Sequence, residues 1–363
     1  MAPAATARWI ATCPDEVKEV LAAELGQLGV LDCEPIYRGV RLVADLETGY
    51  RAHLWLRTAS RIQRIVADVP AGTTAELETA AAAISWPTWL LARYPFTVSP
   101  ILTDAKARGL EEQAVRNAVA RAITQSFSDA SLAPPRFDHE ARNVVTLMAH
   151  VRHGVCTLGL DTAGRALHKR GWRLPGHPAV LKETLAASVL LLAGYDGSEV
   201  LLDPMCGSGT IAIEAAYIAL HKAPLIHRGK DDFGFEHQAG FDRTLWRRVC
   251  DQARGAKLPA LPSPIFASDI SQDFIDLARR TALRARVEKH LTLTTASLHD
   301  LTPPAPSGLL VANLPYGERL GGDTLPTLYR DIGRTLRERF ARWRLALLVP
   351  VDAPREALGM RPT

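Results

Sequence analysis

This chain of 363 residues lacks the sequence features by which disulfide-rich, zinc-binding, membrane-spanning and secreted proteins are usually recognised. It has only five cysteines, which are widely spread and form no Cys-x-x-Cys pair, so neither a disulfide framework nor a zinc site of the usual spacing is expected. No apolar run is long enough to span a bilayer, and the first residues lack the apolar core of a signal peptide. These absences predict a cytoplasmic protein with reduced thiols, no metal site and no membrane partner.

The chain also has only a small excess of charge of one sign. The 43 lysines and arginines nearly balance the 39 aspartates and glutamates, which leaves a net charge of +4. Such a balance is compatible with a nucleic-acid partner but does not require one. Hydrophobic residues make up 47% of the chain, which is enough for sizeable cores. At ~150 residues per domain, the length predicts two or three domains.

The most informative pattern is a glycine loop that follows an apolar run. Residues 200–210 predict a buried parallel strand ending at Asp203, a tight turn containing Gly207 and Gly209, and the start of an alanine-rich helix. Because glycine has no Cβ, a ligand can lie against the backbone there, at the N-terminus of a helix. A purely structural turn is the competing interpretation.

Details of this loop favour one cofactor over another. The dinucleotide fingerprint G-x-G-x-x-G places a third glycine where this chain has Ala212. The carboxylate of Asp203 would repel a pyrophosphate, but it can hold an ammonium group or ribose hydroxyls. S-adenosylmethionine carries both of these groups and no phosphate, so we expect it to be the cofactor.

A second pattern, Asn313-Leu314-Pro315-Tyr316, follows a short apolar run. Ligands of open α/β sheets bind outside the carboxyl ends of the strands, so this motif is expected to face the glycine loop. The side-chain oxygen of Asn313 and the carbonyl of Leu314 can accept two hydrogen bonds from one exocyclic amino group. Pro315 stiffens the turn, and Tyr316 offers a flat face for base stacking. These four residues are the predicted catalytic residues, and an ordinary proline turn is the alternative.

Two further strand ends complete the predicted cofactor site. Strand 264–269 ends in Asp269, whose carboxylate is expected to bind ribose hydroxyls, although a helix N-cap is the alternative role. Strand 291–295 is followed by Ser297. The predicted cofactor-binding residues are Asp203, Met205, Cys206, Gly207, Gly209, Thr210, Asp269, Ile270, Ser297 and Leu298.

The motifs at 203–210 and 313–320 together resemble those of class I S-adenosylmethionine-dependent RNA methyltransferases that carry a THUMP domain. The resemblance extends to residues 160–173, 178–187 and 222–235, and within the family it favours the guanine-N2 methyltransferases of large-subunit (23S) ribosomal RNA. It implies an α/β protein in which a Rossmann-like methyltransferase domain follows an α+β region, ferredoxin-like and THUMP, that binds RNA. The implied product is N2-methylguanosine.

The order of elements and this resemblance predict four parts. They are a ferredoxin-like domain at 1–47, a THUMP domain at 48–160, a linker at 161–177 and the methyltransferase domain at 178–363. Around the linker, cations flank an aromatic side chain, an arrangement that can bind phosphates and stack a base. The predicted RNA-binding residues are His168, Lys169, Arg170, Trp172 and Arg173.

Two departures from the family pattern leave alternatives open. Where Ser297 stands, the family usually has an acidic residue that contacts the adenine amino group, and Asp300 is a candidate substitute. Only 13 residues follow Pro350, where class I methyltransferases usually continue with an antiparallel hairpin. The alternatives are a guanine-N2 methyltransferase of transfer RNA, and an RNA-binding protein whose methyltransferase domain is degenerate. The sequence does not fix the oligomeric state.

Overall fold

A computed structural model describes residues 6–103, 109–138, 140, 144–176, 181–316 and 325–361. The chain forms two compact units. The first unit contains Met1–Leu167 and Arg228–Asp251, and the second contains His168–His227 and Gln252–Thr363. In the described ranges, no helix is long and apolar enough to cross a membrane, and no group of three or more histidine, cysteine or acidic side chains is placed to hold a metal ion.

The first unit is built on one seven-stranded sheet with the strand order β2-β3-β1-β4-β7-β6-β5. The strands are β1 (Ala7–Thr12), β2 (Cys33–Ile36), β3 (Gly39–Ala44), β4 (Arg61–Pro70), β5 (Phe96–Leu102), β6 (Val145–Arg152) and β7 (Val155–Asp161). The helices are α1 (Lys18–Gln27), α2 (Leu46–Trp55), α3 (Thr74–Ala82) and α4 (Glu112–Asp129). Since β1 pairs with β4, the sheet is continuous across the predicted boundary between residues 47 and 48.

One part of this unit differs from the sequence pattern. Residues 50–66 predict a single amphipathic segment, whereas the structure has the end of α2 there, then an extended turn, then β4. Leu56 and Ala59, in the turn, are both buried, so the apolar pattern continues across two unlike elements. The start of α2 has a clear local cause, because the Asp45 side chain accepts a hydrogen bond from the backbone N–H of Thr48 at 2.8 Å.

The segment 228–251 folds with the first unit, although the sequence placed it inside the methyltransferase domain. Its aromatic side chains pack on α2. The ring centroids of Phe235 and Tyr50 are 4.8 Å apart, and those of Trp246 and Tyr50 are 5.6 Å apart. The Tyr50 hydroxyl also accepts a hydrogen bond from the backbone N–H of Asp242 at 3.0 Å. The predicted domain 178–363 therefore includes a segment that belongs to the hydrophobic core of another unit.

The second unit is a five-stranded sheet with the order β10-β9-β8-β11-β12, in which every pairing between described strands is parallel. The strands are β8 (Leu201–Asp203), β9 (Ile265–Asp269), β10 (Leu291–Thr295), β11 (Leu309–Asn313) and β12 (Arg344–Leu348). The helices are α5 (Glu183–Leu192), α6 (Thr210–Ala219), α7 (Arg243–Gly255, which begins in the first unit), α8 (Gln272–Arg284) and α9 (Leu325–Arg339).

Both faces of this parallel sheet are covered. Leu201 lies in a core with α5, α6 and α8, while its neighbour Leu202 lies in a second core with α9. Successive residues of a strand point to opposite faces, so apolar runs such as 309–312 are buried on both sides. The prediction of a doubly wound, Rossmann-like α/β unit is confirmed.

Candidate cofactor-binding and active site

Three of the predicted site residues lie at one edge of the second unit's sheet. Asp203, Asp269 and Asn313 are the last residues of β8, β9 and β11. These strands are neighbours and run parallel, with Asp203 paired to Ala267 of β9. Their carboxyl ends therefore lie side by side, where ligands of open α/β sheets bind.

The glycine loop after β8 turns tightly into α6. Gly209 is the N-cap of that helix and has a φ of 78°, in the left-handed region that favours glycine. Its N–H donates to the carbonyl of Cys206 at 2.8 Å. A Cβ on Gly209 would lie 3.1 Å from the Cβ of Ala278 in α8, so a side chain here would also press on the neighbouring helix.

Asp203 has a buried carboxyl group whose hydrogen-bonding capacity is not fully satisfied within the described residues. It is 1% exposed, and its Oδ1 accepts a long hydrogen bond from the backbone N–H of Met205 at 3.4 Å. In the described part of the chain, its Oδ2 is buried without a partner. Burial raises the pKa of Asp203 to about 8, and the negative charge of Asp269 adds to the rise. A cationic ligand group would supply the missing partner, which fits the ammonium group of S-adenosylmethionine.

Asp269 has a structural role that the sequence did not reveal. Its Oδ2 accepts a hydrogen bond from the N–H of Gly207 and its Oδ1 from the N–H of Ser271, both at 3.0 Å. The carboxylate thus ties the glycine loop to the end of β9. Because a carboxylate oxygen has two lone pairs, Asp269 can still accept hydrogen bonds from ribose hydroxyls. Next to it, Ile270 is 76% exposed and can cover a flat ligand.

The loop after β10 brings Ser297 and Leu298 to the same edge. The N–H of Ala296 donates to the carbonyl of Asp269 at 3.0 Å, which holds this loop beside β9. The hydroxyl of Ser297 accepts a hydrogen bond from the N–H of His299 at 3.3 Å. Leu298 is 3% exposed and belongs to the core under α9.

The motif after β11 is held by residues far away in sequence. The N–H of Leu314 donates to the carbonyl of Leu348 at 3.1 Å, and the hydroxyl of Tyr329 donates to the carbonyl of Pro315 at 3.2 Å. Tyr316 is 47% exposed, so part of it is accessible to a ligand. The rest of the motif, 317–320, lies outside the described residues.

Tyr329 and Ser268 are site residues that sequence reasoning missed. Tyr329 fixes the turn from α9, and the carbonyl of Ser268 accepts the N–H of Cys206 at 2.9 Å, which holds the glycine loop against β9. Neither residue stands in a recognisable motif, so only the three-dimensional arrangement identifies them. Cys206 itself is not a nucleophile, because burial and the charges of Asp203 and Asp269 raise the pKa of its thiol well above its ordinary value.

The predicted RNA-binding junction needs a correction. Arg170 is fully buried and forms an ion pair with Glu214 of α6, with Nε and Oε1 3.2 Å apart. Trp172 is 1% exposed and belongs to the core between the sheet and α6. Because neither side chain reaches the surface, neither can bind a phosphate or stack on a base. They anchor the start of the second unit instead.

The other three junction residues are more accessible. Lys169 is exposed, and His168 is half-buried, with its pKa lowered by burial. Arg173 is half-buried, and its Nε donates to Oε1 of Glu183 at 3.0 Å, so its charge is already partly balanced. An RNA-binding role stays a prediction for these three residues.

Comparison with known proteins identifies the family. A family model of the RMKL-like methyltransferase domain matches residues 170–363. The chain belongs to this family. A second model, of the RlmL ferredoxin-like domain, matches residues 8–63, so the predicted ferredoxin-like start and Rossmann-like methyltransferase fold are both confirmed.

Relatives and solved structures agree with this family. The ribosomal RNA large subunit methyltransferase K/L of Shewanella baltica (strain OS185) is 34% identical over 348 residues, which is 94% of this chain. The chain spans about half of that relative, 48% of its length. A predicted N6-adenine-specific DNA methylase from Listeria monocytogenes has a TM-score of 0.88 and 28% identity, covering 99% of this chain and 93% of its own. SMU.472, crystallised with SAH (S-adenosylhomocysteine), has a TM-score of 0.86 and 27% identity, with coverages of 98% and 93%.

Proposed function

We propose that this chain is an S-adenosylmethionine-dependent methyltransferase that forms N2-methylguanosine in large-subunit 23S ribosomal RNA. The observation that carries the proposal is that one sheet edge holds both the Asn-Leu-Pro-Tyr turn and a buried carboxyl oxygen of Asp203 that has no hydrogen-bond partner among the described residues. The ribosomal RNA methyltransferase K/L relatives support the substrate, and SMU.472, crystallised with SAH, supports the cofactor. Because the proposed substrate is ribosomal RNA, we also propose that the protein acts in the cytoplasm.

In this proposal, the carboxylates at the edge hold the cofactor. Asp203 takes the ammonium group, Asp269 takes the ribose hydroxyls, and the backbone of Gly207 and Gly209 allows a close approach. The other predicted cofactor contacts are Met205, Cys206, Thr210, Ile270, Ser297 and Leu298. When bound, the cofactor supplies an electrophilic methyl group on a positively charged sulfur.

The turn after β11 positions the acceptor. A guanine must leave its base stack before its amino group can reach this edge. Asn313 and the carbonyl of Leu314 accept hydrogen bonds from that amino group, while Tyr316 packs against the base and Pro315 fixes the turn. Most of the rate enhancement then comes from orientation, and no strong general base is needed. The region 48–160 and the three more accessible junction residues, His168, Lys169 and Arg173, are proposed to bind the RNA.

Transfer of labelled methyl from S-adenosylmethionine to unmodified total RNA tests this function. Label in N2-methylguanosine of large ribosomal RNA is the expected result. Replacing Asn313 by Ala should lower the transfer rate at least 100-fold while leaving the affinity for SAH within about threefold, because this side chain serves the acceptor and not the cofactor.

The matched control is Thr292→Ala, an exposed position on the edge strand β10, which should change neither quantity. Label in transfer RNA would keep the chemistry and replace the substrate. If the folded protein labels no RNA, the proposed function fails, and the alternative of an RNA-binding protein with a degenerate methyltransferase domain is favoured. An equal loss of SAH affinity and activity in Asn313→Ala would contradict the role assigned to Asn313.

A further inference from the structure

The edge of the second unit's sheet opposite the candidate active site carries a cluster of positive charge. Lys222 follows α6, Arg286 follows α8, and Lys289 lies just before β10. α6 begins at the glycine loop and has 10 residues. At a rise of 1.5 Å per residue, its far end lies about 15 Å from that loop. The cluster is therefore separate from the cofactor and acceptor site.

At the centre of the cluster is a buried lysine. Lys222 is 4% exposed, and its Nζ donates to the carbonyl of Ala285, at the end of α8, at 2.6 Å. The same Nζ lies 4.3 Å from the centroid of the Tyr217 ring. Burial, together with the positive charges of Lys257 and Arg286, lowers the pKa of Lys222 to about 7. A buried amine is thus held beside two more cations.

Two histidines border the same place. The Nε2 atoms of His227 and His290 are buried and have no hydrogen-bond partner in the described residues. Burial lowers the pKa of both imidazoles, and nearby cations add to the shift, among them Lys222 and Lys257 for each ring. Both rings are therefore neutral at pH 7, and neither offsets the surrounding charge.

The outer rim of the cluster is open to solvent. Lys257, Arg286 and Lys289 are all exposed. Lys257 lies on the connection after α7, and the other two lie on the short connection between α8 and β10. Across the described ranges, none of the three takes part in a salt bridge within the chain. Like charges held together raise the free energy of the folded protein unless an anion from outside balances them.

We propose that Lys257, Arg286 and Lys289 bind backbone phosphates of RNA at a surface separate from the active site. This inference rests on the proposed function, which makes a long RNA the substrate. Three exposed cations on two separate connections suit an extended chain of phosphates better than a single ion in a pocket. The surface contributes affinity and salt dependence, while the target guanine is taken up at the opposite edge of the sheet.

The test is binding of unmodified, transcribed large-subunit ribosomal RNA to the full chain between 50 and 300 mM KCl. The triple variant Lys257→Gln/Arg286→Gln/Lys289→Gln should weaken binding at least 10-fold at low salt. The slope of log affinity against log salt should also fall by about 2, because each lost phosphate contact removes ~0.7–0.9 from the slope. The affinity for SAH should stay within about twofold.

The matched control is Arg330→Gln/Arg334→Gln/Arg342→Gln, which removes the same net charge from exposed positions on and after α9. It should weaken RNA binding less than threefold. Removing cations near Lys222 relieves repulsion, so the first variant should unfold at the same or a higher temperature than wild type, which shows that it folds.

The outcomes separate this inference from the proposed function. If wild type methylates RNA but the two triple variants bind it equally well, the RNA surface is wrong and the proposed function stands. If wild type neither binds nor methylates RNA, both proposals fail. A preferential loss of RNA binding in the first variant, with SAH affinity kept, supports the surface.

Discussion

The two edges of the second unit's parallel sheet each carry a group of like charges, and the signs of the two groups are opposite. At the carboxyl edge, Asp203 is fully buried and Asp269 is held by two backbone N–H groups. At the amino edge, Lys257 and Arg286 are exposed around the buried Lys222. A small cationic ligand fits the first arrangement, since it can be enclosed by fixed partners. A long anion fits the second, because it can follow separated charges across an open surface.

The largest expected effect comes from removing charge at the carboxyl edge. Asp203→Asn should weaken binding of SAH at least 100-fold, because an amide keeps the shape of the carboxyl group but loses its attraction for an ammonium group in a buried site. Isothermal titration calorimetry at pH 7.5 measures this affinity. The control Asp276→Asn, at an exposed position on α8, should bind SAH as wild type does.

The pH dependence of stability provides a second check on the same variant. The folded-state pKa of Asp203 is raised from 3.8 to about 8, so its contribution to stability is full below pH ~4 and is lost as the pH rises through 8. Without cofactor, wild type should therefore lose stability between about pH 4 and pH 8, by an amount on the order of a few kcal/mol. Asp203→Asn should lack this part of the decline. Parallel unfolding curves at all pH values would contradict the raised pKa.

The carboxyl edge could be predicted from the sequence because its chemistry lies in continuous motifs. Asp203 and Asn313 each end a short apolar run, and parallel strands bring such ends together. The amino edge could not, because Lys222, Lys257 and Arg286 follow three different helices and share no local pattern. Their proximity depends on helix lengths and on how the helices pack.

The prediction that Arg170 and Trp172 of the junction bind RNA was wrong for a different reason. A basic segment around Trp172 has the composition of an RNA-binding surface, but its exposure depends on contacts made far along the chain. Glu214, the partner of Arg170, lies 44 residues away on α6. Composition reports which contacts a segment can make, and only the fold decides whether those side chains face solvent or a core.

Alanine substitution of one glycine at each edge compares the two edges again, with a smaller expected effect on the free energy of unfolding. Gly209→Ala should lower the free energy of unfolding by about 1–2 kcal/mol, because the residue has a φ of 78° and a new Cβ would press on Ala278. Gly255→Ala, at the end of α7, should change it by less than about 0.5 kcal/mol, since apart from its chain neighbours and its own helix backbone no described atom lies within 4 Å of the added Cβ. Chemical denaturation measures both. Equal effects would mean that the glycine loop tolerates a side chain and is not held in the conformation described.

The smallest effect is expected from a substitution that adds a negative charge to the carboxyl edge. Ser297 lies at the position where the family resemblance predicts an acidic residue, and its hydroxyl accepts the N–H of His299. An aspartate can accept the same N–H with one oxygen and offer the other to the adenine amino group of the cofactor. Ser297→Asp should therefore strengthen SAH binding several-fold, which corresponds to about 1 kcal/mol.

Ser297→Asn controls for size, because its side-chain oxygen can keep the turn but leaves no second acceptor. It should give little or no gain in affinity. If Ser297→Asp also gives no gain, the adenine contact lies elsewhere, and Asp300→Ala then becomes the informative variant. If Ser297→Asp instead loses affinity for SAH while Ser297→Asn keeps it, repulsion from Asp203 and Asp269 outweighs the new hydrogen bond. The carboxyl edge then already holds as much negative charge as the cofactor can balance.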